Sequence, residues 1–255
     1  MEPLGALVLL LFVDLDPELA ALRALGGFFV LRTGAAPNGP LPTLATIYEN
    51  PVSDVYRNSL TFRVHDVAER IQAPELRIAA SVAQQALAAR LWSAALGCAA
   101  LYGRVPDLDP RLLHWDAHTS APDDLWLAEV RPLPVDALAD VVLHRHLEPL
   151  TAALVTHHRM SAGLLWGNAA SALAGAAREL DRWARARGRP EVATRARALT
   201  AELLAHPLLA DAGTLTGTAF RRRSCCLYYR VPGGGVCGDC CFTQPPGSSA
   251  KAASG

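Results

Sequence analysis

Of the six cysteines in the 255-residue sequence, five lie between positions 225 and 241. No other feature restricts the fold so narrowly. A disulfide framework spreads its cysteines over the elements it staples and belongs to small secreted chains. Crowding into one window points instead to a segment wrapped around a metal centre. The segment reads Arg221-Arg222-Arg223-Ser224-Cys225-Cys226-Leu227-Tyr228-Tyr229-Arg230-Val231, then Pro232-Gly233-Gly234-Gly235-Val236-Cys237-Gly238-Asp239-Cys240-Cys241. Leu227 to Val231 reads as a short strand, and Pro232 to Gly235 as the turn that returns Cys237 and Cys240 to Cys225 and Cys226.

Three chemistries suit such a pattern. A [2Fe–2S] cluster takes four thiolates, two per iron, and the spacing favours it. Structural zinc also takes four cysteines, usually from two C-x2–4-C units, and adjacent cysteines make a strained tetrahedral chelate. A redox dithiol is the third, although Cys237-x-x-Cys240 has no βαβ pattern around it. Cys241 either replaces Cys240 as a ligand or stands by, since neighbouring side chains of an extended chain point to opposite faces. Arg221, Arg222 and Arg223 either offset the charge of a cluster or are solvated or grip an anionic partner. Spacing alone does not separate those roles. Cys98, in an alanine-rich stretch, reads as a small buried hydrophobe.

The rest of the chain reads as helical. Apolar residues make up 51% and aromatics only 6%, with alanine supplying much of the apolar share, which favours close-packed helices over strands. Helices are expected from Asp16 to Gly26, across Leu44 to Ile71 with a break near Pro51, and from Pro74 to Gly103. Further helices are expected from Pro134 past Val155, from Met160 to Arg187, and from Pro190 to Ala205. Leu112–Ala117 and Leu125–Val130 form a hairpin candidate, and Asp211–Thr218 reads as a linker. The fold class is α+β and predominantly helical, with helices around a small antiparallel sheet. Residues 1–215 form the body, 216–243 the cluster segment and 244–255 a disordered tail.

Lys plus Arg and Asp plus Glu balance at 24 each, so the composition does not point to a nucleic-acid or anionic-membrane partner. Leu4–Val13 is apolar but too short to span a bilayer, and Glu2 before it is unlike a signal peptide. A buried element in a cytoplasmic protein is the expectation. His144 with His146, and His157 with His158, have poor chelating geometry on a helix and read as structural or surface residues, while a metal site at His114 and His118 would need partners the sequence does not show. Asn168, inside a helix, needs a buried hydrogen-bond partner; an interhelical contact is the plain expectation and a pocket-lining role the sharper one. Tyr228 and Tyr229 are expected to shield the metal centre. Gly233–Gly235 is a turn rather than a nucleotide fingerprint, so direct NAD(P)H binding is not expected.

The C-C-x10-C-x2-C motif resembles the C-terminal cluster motif of the FhuF-like ferric-siderophore reductases. The likeness extends to Ser81–Gly103 with Ala89-Arg90-Leu91-Trp92-Ser93, to Val105-Pro106-Asp107 and Leu112–Trp115, and to Leu164-Leu165-Trp166-Gly167-Asn168 with Ala169–Gly175. It covers roughly residues 73–241. The resemblance implies a [2Fe–2S] cluster on Cys225, Cys226, Cys237 and Cys240, and the choice of Cys240 over Cys241 rests on it. It also implies one-electron reduction of a ferric siderophore, usually a hydroxamate, with electrons from a ferredoxin or flavoprotein. No motif identifies substrate-contacting residues. The chemistry is sound on its own terms: hard oxygen donors hold Fe(III) far better than Fe(II), so one electron releases the metal.

Overall fold

The computed structural model describes residues 15–36, 39–49 and 58–246. The apolar run Leu4–Val13, the break at Pro51 and the tail beyond residue 246 lie outside them. A long helix, α4 (Leu76–Tyr102), occupies the centre. It is alanine-rich, and from Arg90 to Ala100 every residue is buried, whereas Val82, Gln85, Ala86 and Ala89 leave one stripe of its first half less covered. Gly103 ends it in the left-handed conformation, φ +68°, its N–H returning to Ala99 O. The short side chains let α6 (Ala162–Ala186) pack closely along it, and α7 (Pro190–Leu204) packs on both. α3 (Ser59–Arg70) and α1 (Leu15–Ala21) also pack on α4, α3 being capped by Asn58, whose side chain accepts from Leu60 N and Thr61 N, while α2 (Leu44–Glu49) lies against residues 113–115 and 148–158.

The strands are short. β1 (Arg32–Thr33) pairs in parallel with β4 (Leu125–Leu127), which pairs antiparallel with β3 (Leu113–Trp115) through Leu113↔Leu127 and Trp115↔Leu125. The expected hairpin is therefore present, with a parallel edge strand added. β2 (Arg104–Pro106) pairs with β5 (Pro132–Pro134). A π-helical stretch, Asp140–Leu147, leads into α5 (Glu148–His158). No described helix is long and apolar enough to cross a membrane.

Asp211–Thr218 is not a linker. Gly213–Thr216 is strand β6, paired antiparallel with β7 (Ala219–Arg222), and Gly217 turns the chain at φ +61°. The signal is the alternation along β7, where Phe220 and Arg222 are buried and Ala219 and Arg221 exposed. This hairpin packs on α6 and delivers the cysteine segment to the α4–α6 seam.

Candidate metal centre

The thiols divide into two groups. Cys226 and Cys237 have Sγ atoms 3.6 Å apart. The Sγ atoms of Cys225, Cys240 and Cys241 all lie within 4.8 Å of one another. Neighbouring Cys225 and Cys226 thus serve different groups, as alternation of side chains along the chain requires. Cys240 and Cys241 do not separate in this way, because both remain with Cys225. Among the described residues no histidine joins such a group.

The backbone between the pairs is a 3-10 turn at Tyr228–Arg230, not the expected strand. Leu227 takes a left-handed conformation, φ +68°, which ends extended structure immediately after Cys226. That bend lets Leu227 N–H donate to Cys225 Sγ at 3.2 Å. The return turn is as expected: Gly233 sits at φ +70°, and a Cβ on Gly234 would fall 2.4 Å from Tyr228 O. Cys240 N–H closes a turn onto Cys237 O at 3.0 Å, and Phe242 N–H donates to Cys240 Sγ at 3.4 Å. Backbone donors aimed at sulfur stabilise thiolates and tune the metal they hold. Tyr229 packs edge-on against Phe242 with ring centroids 5.9 Å apart, while Tyr228 is 40% exposed.

The thiols respond to these surroundings. The Cys237 contact draws Cys226 down to about 7 and pushes Cys237 up. Burial raises Cys225 and Cys241. Cys98 is remote in purpose: burial inside α4 pushes it up to about 12, an inert core thiol.

Side chains of α4 and α6 hold the segment in place. Ser81 Oγ donates to Cys226 O at 2.8 Å. Asn168 Nδ2 donates to Ser81 O and Oγ at 3.0 and 2.9 Å, and its Oδ1 accepts from Arg222. Asn168 is fully buried, so its role is the interhelical contact and not the lining of a pocket. The glycine beside it has its own reason. A Cβ on Gly167 would lie 2.2 Å from Ser224 Oγ, which donates to Gly163 O at 3.0 Å. Asp239, between Cys237 and Cys240, accepts from Ser171 Oγ at 2.6 Å and pairs with Arg178 at 3.0 Å.

The three arginines separate. Arg221 is exposed and donates to Cys241 O at 3.2 Å. Arg223 pairs with Asp211 at 2.8 Å on the surface. Arg222 alone is buried. His146 takes a structural role, set between Tyr48 OH at 3.0 Å and Leu108 O at 2.5 Å. Sequence reasoning missed the buried pair Arg90–Asp124, 2.8 Å, which ties α4 to the β3–β4 loop and to the carbonyls of Gly27 and Val30. An arginine flanked by alanine and leucine on a helix buried all round was the available signal.

A cleft of about 480 Å³ opens beside the segment, lined by Phe28, Gln85, Ser93, Arg178, Cys237 and Asp239 among others. The volume is that of a small-molecule site.

Fold and donors together define a helical α+β protein with a thiolate-rich metal site on a C-terminal strap. Residues 222–242 match the family described as FhuF 2Fe-2S C-terminal domain. No curated protein matches the chain. The match spans the strap alone, so it speaks for the cofactor, a [2Fe–2S] cluster, and not for the body. The donor set fits that group: thiols in two neighbouring groups, partly exposed, with backbone N–H groups directed at sulfur.

Proposed function

We propose that this chain is a cytoplasmic ferric-siderophore reductase. Cys226 and Cys237 would hold one iron of the cluster, and Cys225 with Cys240 the other, Cys241 remaining a spare thiol. When bound, the cluster supplies single electrons, and reduction of the siderophore's Fe(III) to Fe(II) needs one. The siderophore is unchanged by that step and loses its hold on the metal because its oxygen donors suit Fe(III).

The observation that carries this reading is the cleft that reaches Cys237. A substrate seated there lies against the strap itself, with Phe28 on one wall and Gln85 and Ser93 on another. Its charged lining is one cation, Arg178, and two carboxylates, Glu179 and Asp239. That balance suits a neutral or cationic ferric complex, as hydroxamates form, and disfavours a polyanionic one. Four partly exposed cysteines give a one-electron donor protein, of ferredoxin or flavoprotein type, a short approach.

The test is reoxidation of the dithionite-reduced, desalted protein under argon. A ferric hydroxamate siderophore should restore the oxidised cluster spectrum in stoichiometric amounts and yield Fe(II) trapped by a chelator. A reduced protein that ignores ferric siderophores but passes electrons to a protein acceptor would make it an electron carrier or sensor instead.

A further inference from the structure

Three arginines are buried among the described residues, Arg63, Arg90 and Arg222. Arg63 has Asp66 at 3.6 Å and Arg90 has Asp124 at 2.8 Å. Arg222, 2% exposed, has no carboxylate partner among the described residues. Its guanidinium donates to Asn168 Oδ1 and, at 3.4 Å, to Gln85 Oε1, both neutral, and its Nε has no acceptor. Asp239 is near enough for its carbonyl to accept Arg222 N–H at 2.9 Å. Its carboxylate, however, is committed to Arg178 and Ser171.

A buried cation that lacks an anion is a costly feature, and folds retain one where a charge arrives from elsewhere. The neighbouring thiols are where it arrives. Arg222 stands three residues before Cys225, its N–H bonds Asp239 O between Cys237 and Cys240, and Asn168, which accepts from its guanidinium, also holds Ser81 against Cys226 O. Two ferric ions, two sulfides and four thiolates sum to a dianion, which becomes a trianion on reduction. We propose that Arg222 is the buried counter-cation of the cluster, held by Asn168 and Gln85, and that it sets the reduction potential by offsetting the charge that reduction adds. This rests on the [2Fe–2S] assignment. It gives Trp166-Gly167-Asn168 a purpose: Gly167 admits the strap and Asn168 fixes the cation without neutralising it. An aspartate at 168 would cancel the charge.

The experiment is a potentiometric titration of the full chain, purified without oxygen, followed by visible absorption and EPR, with iron and sulfide analysis of every variant. Arg222→Gln should lower the reduction equilibrium at least tenfold, 59 mV for a one-electron couple, and Arg222→Lys should recover most of the loss. Gln85→Glu, which gives Arg222 a carboxylate and leaves the arginine in place, should move the potential in the same negative direction. A smaller or opposite shift in a cluster-bearing Arg222→Gln would overturn the proposal. If that variant holds no cluster, a Gln85→Glu protein without a negative shift overturns it instead. Wild-type protein without labile sulfide is a separate failure, that of the cluster assignment.

Discussion

The carboxylate of Asp239 meets the guanidinium of Arg178 at 3.0 Å, and this contact clamps the Cys237–Cys240 loop to helix α6. The acid is 8% exposed and the arginine 33%, so solvent screens the pair only in part. Ser171 Oγ, 2.6 Å away, donates a second bond to the same carboxylate. Asp239→Ala removes both. It should cost about 2 kcal/mol in denaturant unfolding and shorten the lifetime of the cluster against a chelator. Unchanged bleaching kinetics would show that the loop holds its shape without the clamp.

The thiols differ in how replaceable they are. Cys226→Ser and Cys237→Ser should abolish the visible spectrum, because each removes half of a pair with no third thiol in its group. Cys241→Ser should leave the spectrum intact, since Cys225 and Cys240 remain together. Loss of colour in Cys241→Ser with colour retained in Cys240→Ser would exchange the two assignments.

Gly167 tests how closely the strap must approach α6. Gly167→Ala should destabilise the protein by about 1–2 kcal/mol, because Ser224 Oγ must turn away and give up Gly163 O. In a Ser224→Ala background the same change should cost clearly less. Equal costs in the two backgrounds would mean that the strap shifts as a body.

Substrate access can be blocked without touching the metal site. Ala89 lines the cleft, and Ala89→Phe should slow reoxidation by a ferric hydroxamate about tenfold or more while leaving iron content and spectrum alone. Rapid reoxidation in that variant would place the substrate elsewhere.

His146 gives the fold an acid limit. Burial pushes its imidazole down to about 4, so the neutral ring is the folded form. The unfolded chain takes up the proton first, and stability present above pH 6.5 is lost as pH falls through about 4. Denaturant unfolding of the metal-free protein between pH 7 and 4.5 should show this slope, and His146→Gln should reduce it. An identical slope in the variant would assign the acid limit to other groups.

Much of this was legible in the order of residues. The long helices declared themselves through alanine content and through punctuation such as Pro190 and Gly103. The C-C-x10-C-x2-C spacing narrowed the site to three chemistries, among which the family resemblance chose the cluster, and Asn168 announced a buried partner by its place in a helix. The less legible parts depend on partners distant in sequence. β6, four residues with a glycine and two threonines, becomes a strand only because β7 pairs with it. Leu227 to Val231 has strand-forming residues, yet the turn into the thiol site overrides that preference. Nor does the sequence distinguish Arg222 from its two neighbours: the alternation of β7 sends it inward, and β7 exists only by pairing with β6.

The strap binds a [2Fe–2S] cluster, and every proposal above depends on its redox activity. Visible absorption and reduced-state EPR of protein purified without oxygen, with iron, zinc and sulfide analysis, test it most directly. The protein should be red-brown, with about two irons and two sulfides per chain and an S = 1/2 signal on reduction. A colourless protein with one zinc and no labile sulfide, even after anaerobic reconstitution, would contradict it.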